Sequence, residues 1–345
     1  MSEAQDRTKV TDGPYIDRTE KGYETTWIVK NKLKKKLFTT IERHSFAPLA
    51  FPLSVREKES PTQKYHFNGV SKIAAISDIH GQYNVMIKLL QSNNIICDDN
   101  KWIFGEGHLV ITGDVFDRGD QVTEILWYLY ELEAQAEEAG GKVHMLLGNH
   151  EVMVMSGDVR YINKKYRYTT AVTQQMYQDL FGEKSVLGNW LRSKPVSITI
   201  NDIVFLHAGF SKELLESGIT FEEINTTFSN HLIGVPAAEI MQDSSLVELY
   251  ADNGPLWYRG YTDMSSFTQN DADDIVEKLG VKHIVVGHTS LKSIVSLFDN
   301  RIFMIDSSMK FGKTGEVLLW EDSKFTRGTL LGETIPIQPY KPQGS

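Results

Sequence analysis

Short apolar runs that end on Gly, Asp, Asn or His punctuate this chain. The clearest occupy residues 73–76, 109–112, 143–147, 198–206 and 282–286. Runs of this length with little alternation suit strands covered on both faces. Between them, residues 85–90 space their apolar positions with a helical period. Residues 123–139, rich in Leu, Glu and Ala and stopped by Gly140-Gly141, predict a long helix. Alternating strand and helix predicts an α/β architecture with neighbouring strands parallel. Residues 301–305 and 316–320 read as closing strands that could form a second sheet.

The remainder is more polar. Residues 1–22 read as loose. Residues 30–36, KNKLKKK, form a basic run that reads as a solvated face. Residues 47–64 contain three prolines and read as a linker over the main domain. The predicted division is an N-terminal extension and linker at 1–65, partly flexible, a catalytic domain at 66–330, and a C-terminal tail at 331–345, disordered from Pro336. Residues 153–190 are polar and aromatic, with Tyr161, Tyr166, Tyr168 and Tyr177, and are expected to form a partly helical insertion beside the site. Its tyrosines could line a substrate rim or belong to the core. Residues 211–275 are acidic and expected to be helical or irregular.

Composition narrows the partners. At 345 residues, 41% hydrophobic and 23% charged, the chain is an ordinary soluble globular protein. Its net charge of -9 argues against nucleic acid and anionic membranes as partners. The single cysteine, Cys97, rules out an intramolecular disulfide and sits in no nucleophile motif. Residues 1–11 lack an apolar signal core, and no run is long enough to span a bilayer. The expected location is cytoplasmic.

Chemistry concentrates in five segments, each after an apolar run: Ser77-Asp78-Ile79-His80-Gly81, Gly113-Asp114-Val115-Phe116-Asp117-Arg118-Gly119, Gly148-Asn149-His150-Glu151, Leu206-His207-Ala208-Gly209 and Gly287-His288-Thr289. Asp78 and His80, two apart, would point to one side of an extended segment, and a turn there lets both reach one ion. Asp114 is suited to bridge two ions, since a carboxylate carries several lone pairs. Asn149 offers a carbonyl oxygen, and His207 and His288 offer imidazole nitrogens to a second ion. His150 can protonate a departing oxygen, with Asp117 accepting its ring N–H. Arg118 and Arg259 are candidate phosphate clamps, with Asn149 beside them. Glu151 reads as a helix cap that could also orient a ligand. Asp306 is either a support to a metal-bound histidine or a turn residue.

These motifs together resemble the calcineurin-like metallophosphoesterases. Asp-Arg-Gly and the Glu after Gly-Asn-His are similar to the phosphoprotein phosphatase branch. The stretch GNHEVMVMSGDVRY and the later GPLWYR resemble the Shewanella-like bacterial phosphatases. The resemblance spans roughly residues 70–325. It implies a β-sandwich of two mixed sheets flanked by helices, with the site at strand ends. It implies two divalent metals, Mn, Fe or Zn, one held by Asp78, His80 and Asp114 and one by Asp114, Asn149, His207 and His288. It also implies His150 with Asp117 as the acid pair and Arg118 with Arg259 as the phosphate site. Ser77 and Ala208 depart from the eukaryotic pattern, which has Gly at both places, as does the insertion after Glu151. Neither substitution removes a ligand.

The expected function is phosphomonoester hydrolysis of a phosphoprotein, at Ser, Thr or Tyr, by direct attack of metal-bound water. The alternative substrates are small phosphate esters or dinucleoside polyphosphates. A non-catalytic metal-binding scaffold is the remote alternative, disfavoured because every ligand is retained.

Overall fold

The computed structural model describes residues 9–57 and 64–342. Its centre is a pair of mixed sheets packed face to face. One has six strands in the order β17-β16-β15-β7-β8-β9, where β7 is Lys72–Ile76, β8 His108–Ile111, β9 Lys142–Met145, β15 Glu316–Glu321, β16 Lys324–Thr329 and β17 Thr334–Pro336. The other has seven in the order β18-β13-β14-β12-β11-β10-β6, where β6 is His66–Phe67, β10 Ser197–Ile200, β11 Ile203–Leu206, β12 His283–Val286, β13 Val295–Leu297, β14 Ile302–Met304 and β18 Gln338–Pro339. The two runs read as closing strands thus belong to different sheets, one to each.

Side-chain alternation divides the core. Ile73, Ala75, Val110, Ile203, Phe205, Val285 and Phe303 meet between the sheets. Their neighbours Ala74, Ile76, Leu109, Ile111, Val204, Leu206, Ile284 and Val286 face outward under helices and loops. A strand apolar on both faces is what a covered parallel ladder requires, and β7, β8 and β9 are parallel, as are β11, β12 and β14. Helices α1 (Tyr83–Ser92) and α2 (Val122–Glu138) cover the six-stranded sheet. After β9 come α3 (Asn149–Met155), α4 (Lys164–Thr173) and α5 (Val186–Arg192), the helical insertion. Short helices follow up to residue 250, and α6 (Gln269–Leu279) leads into β12. All five motifs lie just past the C-terminal ends of parallel strands, three on one sheet and two on the other, where ligands gather in open α/β sheets. Among the described residues no helix is long and apolar enough to cross a membrane.

The structure corrects the reading of both ends. Residues 12–38, of which 12–22 fall in the stretch expected to be loose, form an antiparallel sheet of β1 (Asp12–Thr19), β2 (Gly22–Val29) and β3 (Lys32–Phe38). Lys30 and Asn31 both take positive φ, as a two-residue type I′ hairpin needs. The lysines of residues 32–36 are exposed on the edge strand β3. The inner face docks through Tyr15, whose ring meets Phe181 edge-on at 6.1 Å, and through Pro14, whose carbonyl accepts from the Trp127 indole at 2.8 Å. The short strands β4 (His44–Ser45) and β5 (Pro52–Leu53) pair next, and Arg56 stacks on Tyr130 at 3.9 Å. The rest of the expected linker, residues 58–63, lies outside the described residues, as do 1–8 and 343–345. At the other end the expected disordered tail is ordered through residue 342. There β17 pairs with β16 and β18 with β13, so the chain closes both sheets in turn.

Asp12 is the anchor of the N-terminal sheet. Fully buried, it accepts from Tyr15 Oη (2.7 Å), Thr169 Oγ1 (2.6 Å) and Thr123 Oγ1 (3.1 Å), and lies 3.3 Å from Lys165 Nζ. It therefore ties β1 to α2 and α4. Removing one partner of a buried ion pair strands the other charge. Asp12→Ala is expected to destabilise the protein by about 3 kcal/mol, measured by urea denaturation. A loss under about 0.5 kcal/mol, the range of ordinary surface positions, would show the sheet to be a loose appendage.

Candidate active site

Tight turns after the strands aim the polar side chains. Asp78, His80, Asp114, Asp117, Arg118 and His288 all take positive φ, between 46° and 72°. Non-glycine residues avoid this region, and such strain concentrates at functional sites. Asp78 and His80 therefore converge through left-handed turns, not by the alternation of an extended strand. Glycines give the turns room. A Cβ on Gly287 would lie 1.8 Å from Ser77 Oγ and 2.5 Å from Asp78 Oδ2, and one on Gly148 would meet Asp114 Oδ1 at 2.3 Å.

The converging atoms are mostly lone pairs. His80 Nδ1 donates to the Phe116 carbonyl (2.6 Å) and His207 Nδ1 to the Thr112 carbonyl (2.8 Å). A carbonyl can only accept, so these bonds fix both tautomers, and in the neutral ring each Nε2 carries a lone pair. Both lone pairs face Asp114 Oδ2, at 3.5 and 3.4 Å. Around His207 Nε2 also lie Asn149 Oδ1 at 2.9 Å and His288 Nδ1 at 3.1 Å. Asp78 Oδ1 is 3.9 Å from His80 Nε2. Two donor groups result, His80, Asp114 and His150 in one and Asp114, His207 and His288 in the other. Within each group the ligand atoms lie within 4.8 Å of one another. Asp114 belongs to both. His150, which sequence placed only at the rim, is thus also within ligating reach.

Burial and the repulsion of Asp306 and Asp114 raise Asp78 well above the ordinary carboxylate range. Burial alone would raise Asp114 too, but His207, His150 and His80 hold it well below that range. Burial pushes His80 down to about 3 and, together with His207, pushes His288 down to about 2. Both are therefore neutral, the ligating form. At His207 burial is outweighed by the pull of Asp114 and Asp78, which lifts it to about 9, so its Nε2 binds a proton toward Asp114 that metal binding would release. Acceptor atoms packed this closely call for positive charge between them, and an N/O set of imidazole, carboxylate and amide fits divalent transition metals.

The supports are themselves buried. Ser77 Oγ donates to Asp78 Oδ2 (2.5 Å) and receives from Thr112 Oγ1 (2.7 Å), while the His288 amide donates to the same Asp78 oxygen at 2.9 Å, tying the two sheets together. This hydroxyl relay was not foreseen; its trace in the sequence is a Ser-Asp and a Thr-Gly-Asp closing neighbouring strands. Glu151 does more than cap. It receives from Gly148 N (2.7 Å) and also from Asp114, Val115 and Phe116 N at 2.8, 2.7 and 3.2 Å, so it holds the Asp114 loop. Asp306 accepts from the Ser290 hydroxyl and the Ser308 amide, a turn role, while its charge bears on Asp78.

His150 Nδ1 is hydrogen-bonded to Asp117 Oδ2, its amide donates to Asp114 Oδ1 at 3.0 Å, and its Nε2 lies 3.9 Å from Asp114 Oδ2. Burial lowers the pKa of His150, but Asp114 and Asp117 more than compensate, and the net direction is upward. The arginines lie at the exposed rim. Arg259 donates to the His288 carbonyl and to Thr289 Oγ1, both at 3.2 Å, and Trp257 stands 6.0 Å from the His288 ring. Arg118 lies 5.7 Å from the Tyr161 ring centroid. Tyr166 and Tyr177 are core residues, while Tyr161 is exposed and its ring lies 5.5 Å from that of His150. A cavity of about 620 Å³ between the edge strands β6 and β9 includes none of these residues.

The fold and this constellation define a class: the chain belongs to the calcineurin-like phosphoesterase family, which it matches over residues 71–290. Within solved structures it is similar to the cold-active protein-tyrosine phosphatase of a psychrophilic Shewanella species, with 39% identity, 94% of this chain and 99% of that one covered, and a TM-score of 0.86. An uncharacterized protein of Schizosaccharomyces pombe is 32% identical over 71% of this chain and 75% of its own. Shewanella-like protein phosphatase 1 of Plasmodium berghei is 29% identical over 76% and 75%.

Glu151 distinguishes a cap from a support. Glu151→Gln is expected to cost about 3 kcal/mol, since a buried charged acceptor set loses part of its bonding. It should also weaken divalent-metal binding about 10- to 100-fold, as the loss of an orienting partner does, read by calorimetric titration of manganese. A cost near 1 kcal/mol with unchanged metal affinity would reduce Glu151 to a helix cap.

Proposed function

We propose that this chain is a protein phosphatase that hydrolyses phosphomonoesters of Ser, Thr or Tyr. Two divalent ions would be held by Asp78, His80 and Asp114 on one side and by Asp114, Asn149, His207 and His288 on the other. The observation that carries the reading is the sharing of Asp114 Oδ2 between two lone-pair clusters. Manganese, iron and zinc all accept this donor mix. Such ions supply Lewis acidity toward phosphoryl oxygens and acidify water.

The chain's own residues do the rest. Arg118 and Arg259, exposed at the rim, bind phosphoryl oxygens through planar, permanently charged forks, with the Asn149 amide beside them. His150 gives its proton to the departing oxygen. Asp117 holds the ring and keeps it protonated, which the upward shift of His150 supports. No covalent phosphoenzyme forms, so configuration at phosphorus inverts. On this reading the catalytic unit runs over residues 66–330. One cysteine, Cys97, makes no demand for an oxidising compartment, which supports a cytoplasmic setting.

The names of the relatives support a phosphoprotein substrate. Human serine/threonine-protein phosphatase 5 adds a partial match, 29% identical over 44% of this chain. A symmetrical bis(5′-nucleosyl)-tetraphosphatase of Cronobacter sakazakii matches 40% of the chain at 28% identity, so nucleotides belong in the assay. The test is a panel of phosphopeptides, p-nitrophenyl phosphate and dinucleoside tetraphosphates with the manganese-loaded protein. Phosphopeptides should show the highest kcat/KM, and chelation should abolish turnover. A preference for the tetraphosphates would overturn the proposal.

His150→Asn should lower kcat about 10²- to 10⁴-fold while elemental analysis still finds two metals per chain. Unchanged turnover would remove His150 as the acid. Asp117→Asn takes away an anion that raises the pKa of His150. The acid works below its pKa, so the alkaline limb of the kcat profile should move to lower pH.

A further inference from the structure

We infer that Tyr161 is a specificity-determining residue of this site, a stacking wall for the phenyl ring of phosphotyrosine that favours aryl over alkyl phosphate monoesters. The inference rests on the phosphatase reading above and narrows its substrate class. Three observations carry it.

The first is position. The Tyr161 ring centroid lies 5.5 Å from that of His150, the residue assigned to protonate the leaving oxygen. A substrate whose leaving oxygen meets His150 must pass beside this ring. The second is that the ring is exposed yet held. Its solvent exposure is 46%, whereas Tyr166 and Tyr177 of the same insertion are buried. The Tyr161 carbonyl accepts from the Arg118 amide at 3.0 Å, and Asn163 Nδ2 closes the link on the Arg118 carbonyl at 2.8 Å. Arg118 and Arg160 lie 5.7 and 5.5 Å from the ring centroid, and Arg160 is fixed in turn by Asp158. An exposed aromatic side chain with two torsions, approached by two cations and anchored through its own backbone, can receive another ring. The third is depth. The ligating residues are 0–5% exposed, so phosphorus would sit below the rim. A tyrosyl ring carries phosphorus farther from the peptide backbone than a seryl carbon does, and it places that ring at the level of Tyr161.

The test compares holoenzymes of the parent, Tyr161→Ala and Tyr161→Phe on two peptides of one sequence, bearing phosphotyrosine or phosphoserine. In parallel, phenylphosphonate and ethylphosphonate binding is measured by calorimetry. A stacked aromatic pair is worth about two- to tenfold. Tyr161→Ala should lower the phosphotyrosine-to-phosphoserine ratio of kcat/KM by that factor and weaken phenylphosphonate alone. Tyr161→Phe should preserve both. An equal fall on both peptides, an unchanged ratio, or equal weakening of both phosphonates would overturn the inference. Should neither peptide be hydrolysed by the parent, the phosphatase reading falls by itself. The wall then stands if Tyr161→Ala weakens phenylphosphonate alone and falls if it does not.

Discussion

One unfavourable contact organises this protein: several lone pairs crowd around Asp114 Oδ2 with too few protons to share. Backbone carbonyls take the Nδ1 hydrogens of His80 and His207, so the neutral His80 has no proton left for Asp114 and only His207, which binds a second proton, can donate to it. In an interior of low polarity such an arrangement is costly unless a cation completes it. The opposite shifts of His207 and His288, two imidazoles 3.1 Å apart, express that constraint.

The scaffold resists this repulsion with rigid supports. Six polar residues at positive φ would each relax if the loops were free, at a strain on the order of 1 kcal/mol apiece. Four backbone amides converge on Glu151 and fix the Asp114 loop. The Thr112, Ser77, Asp78 and His288 chain links the ends of both sheets. The two sheets thus deliver different ligands to one place, and the stiffness of the sandwich becomes the stiffness of the site.

Much of this was legible in the chain because apolar runs ending in Asp, Asn or His mark buried strands that finish at a ligand site. The convergence of Asp78, Asp114, Asn149, His150, His207 and His288 was readable on that basis. Alternation along an extended segment was the wrong basis for pairing Asp78 with His80, since it fails once φ becomes positive; the turn expected there is what brings them together. The N-terminal sheet was missed because β3 is lysine-rich, with even Leu33 and Leu37 exposed, so no buried alternation marks it, and because Asp12 looks like a surface acid until its partners at 123, 165 and 169 are seen together. The last strands were missed for a similar reason: β17 and β18 are very short, carry prolines and owe their pairing to neighbours far away in sequence. The role of Tyr161 was only half visible, since four tyrosines in one insertion look alike until packing buries some and leaves this one facing His150.

The Asp12 cluster also bears on how the molecule comes to be made. Residue 12 leaves the ribosome well before its partner Thr169, which lies 157 positions later. Until then the nascent sheet holds an acid whose native surroundings are incomplete, and its inner face has only the α2 part of its docking surface, Thr123 and Trp127. Full closure of the N-terminal sheet must therefore wait for the insertion, so these distant segments mature together and not as a module completed before the insertion is made.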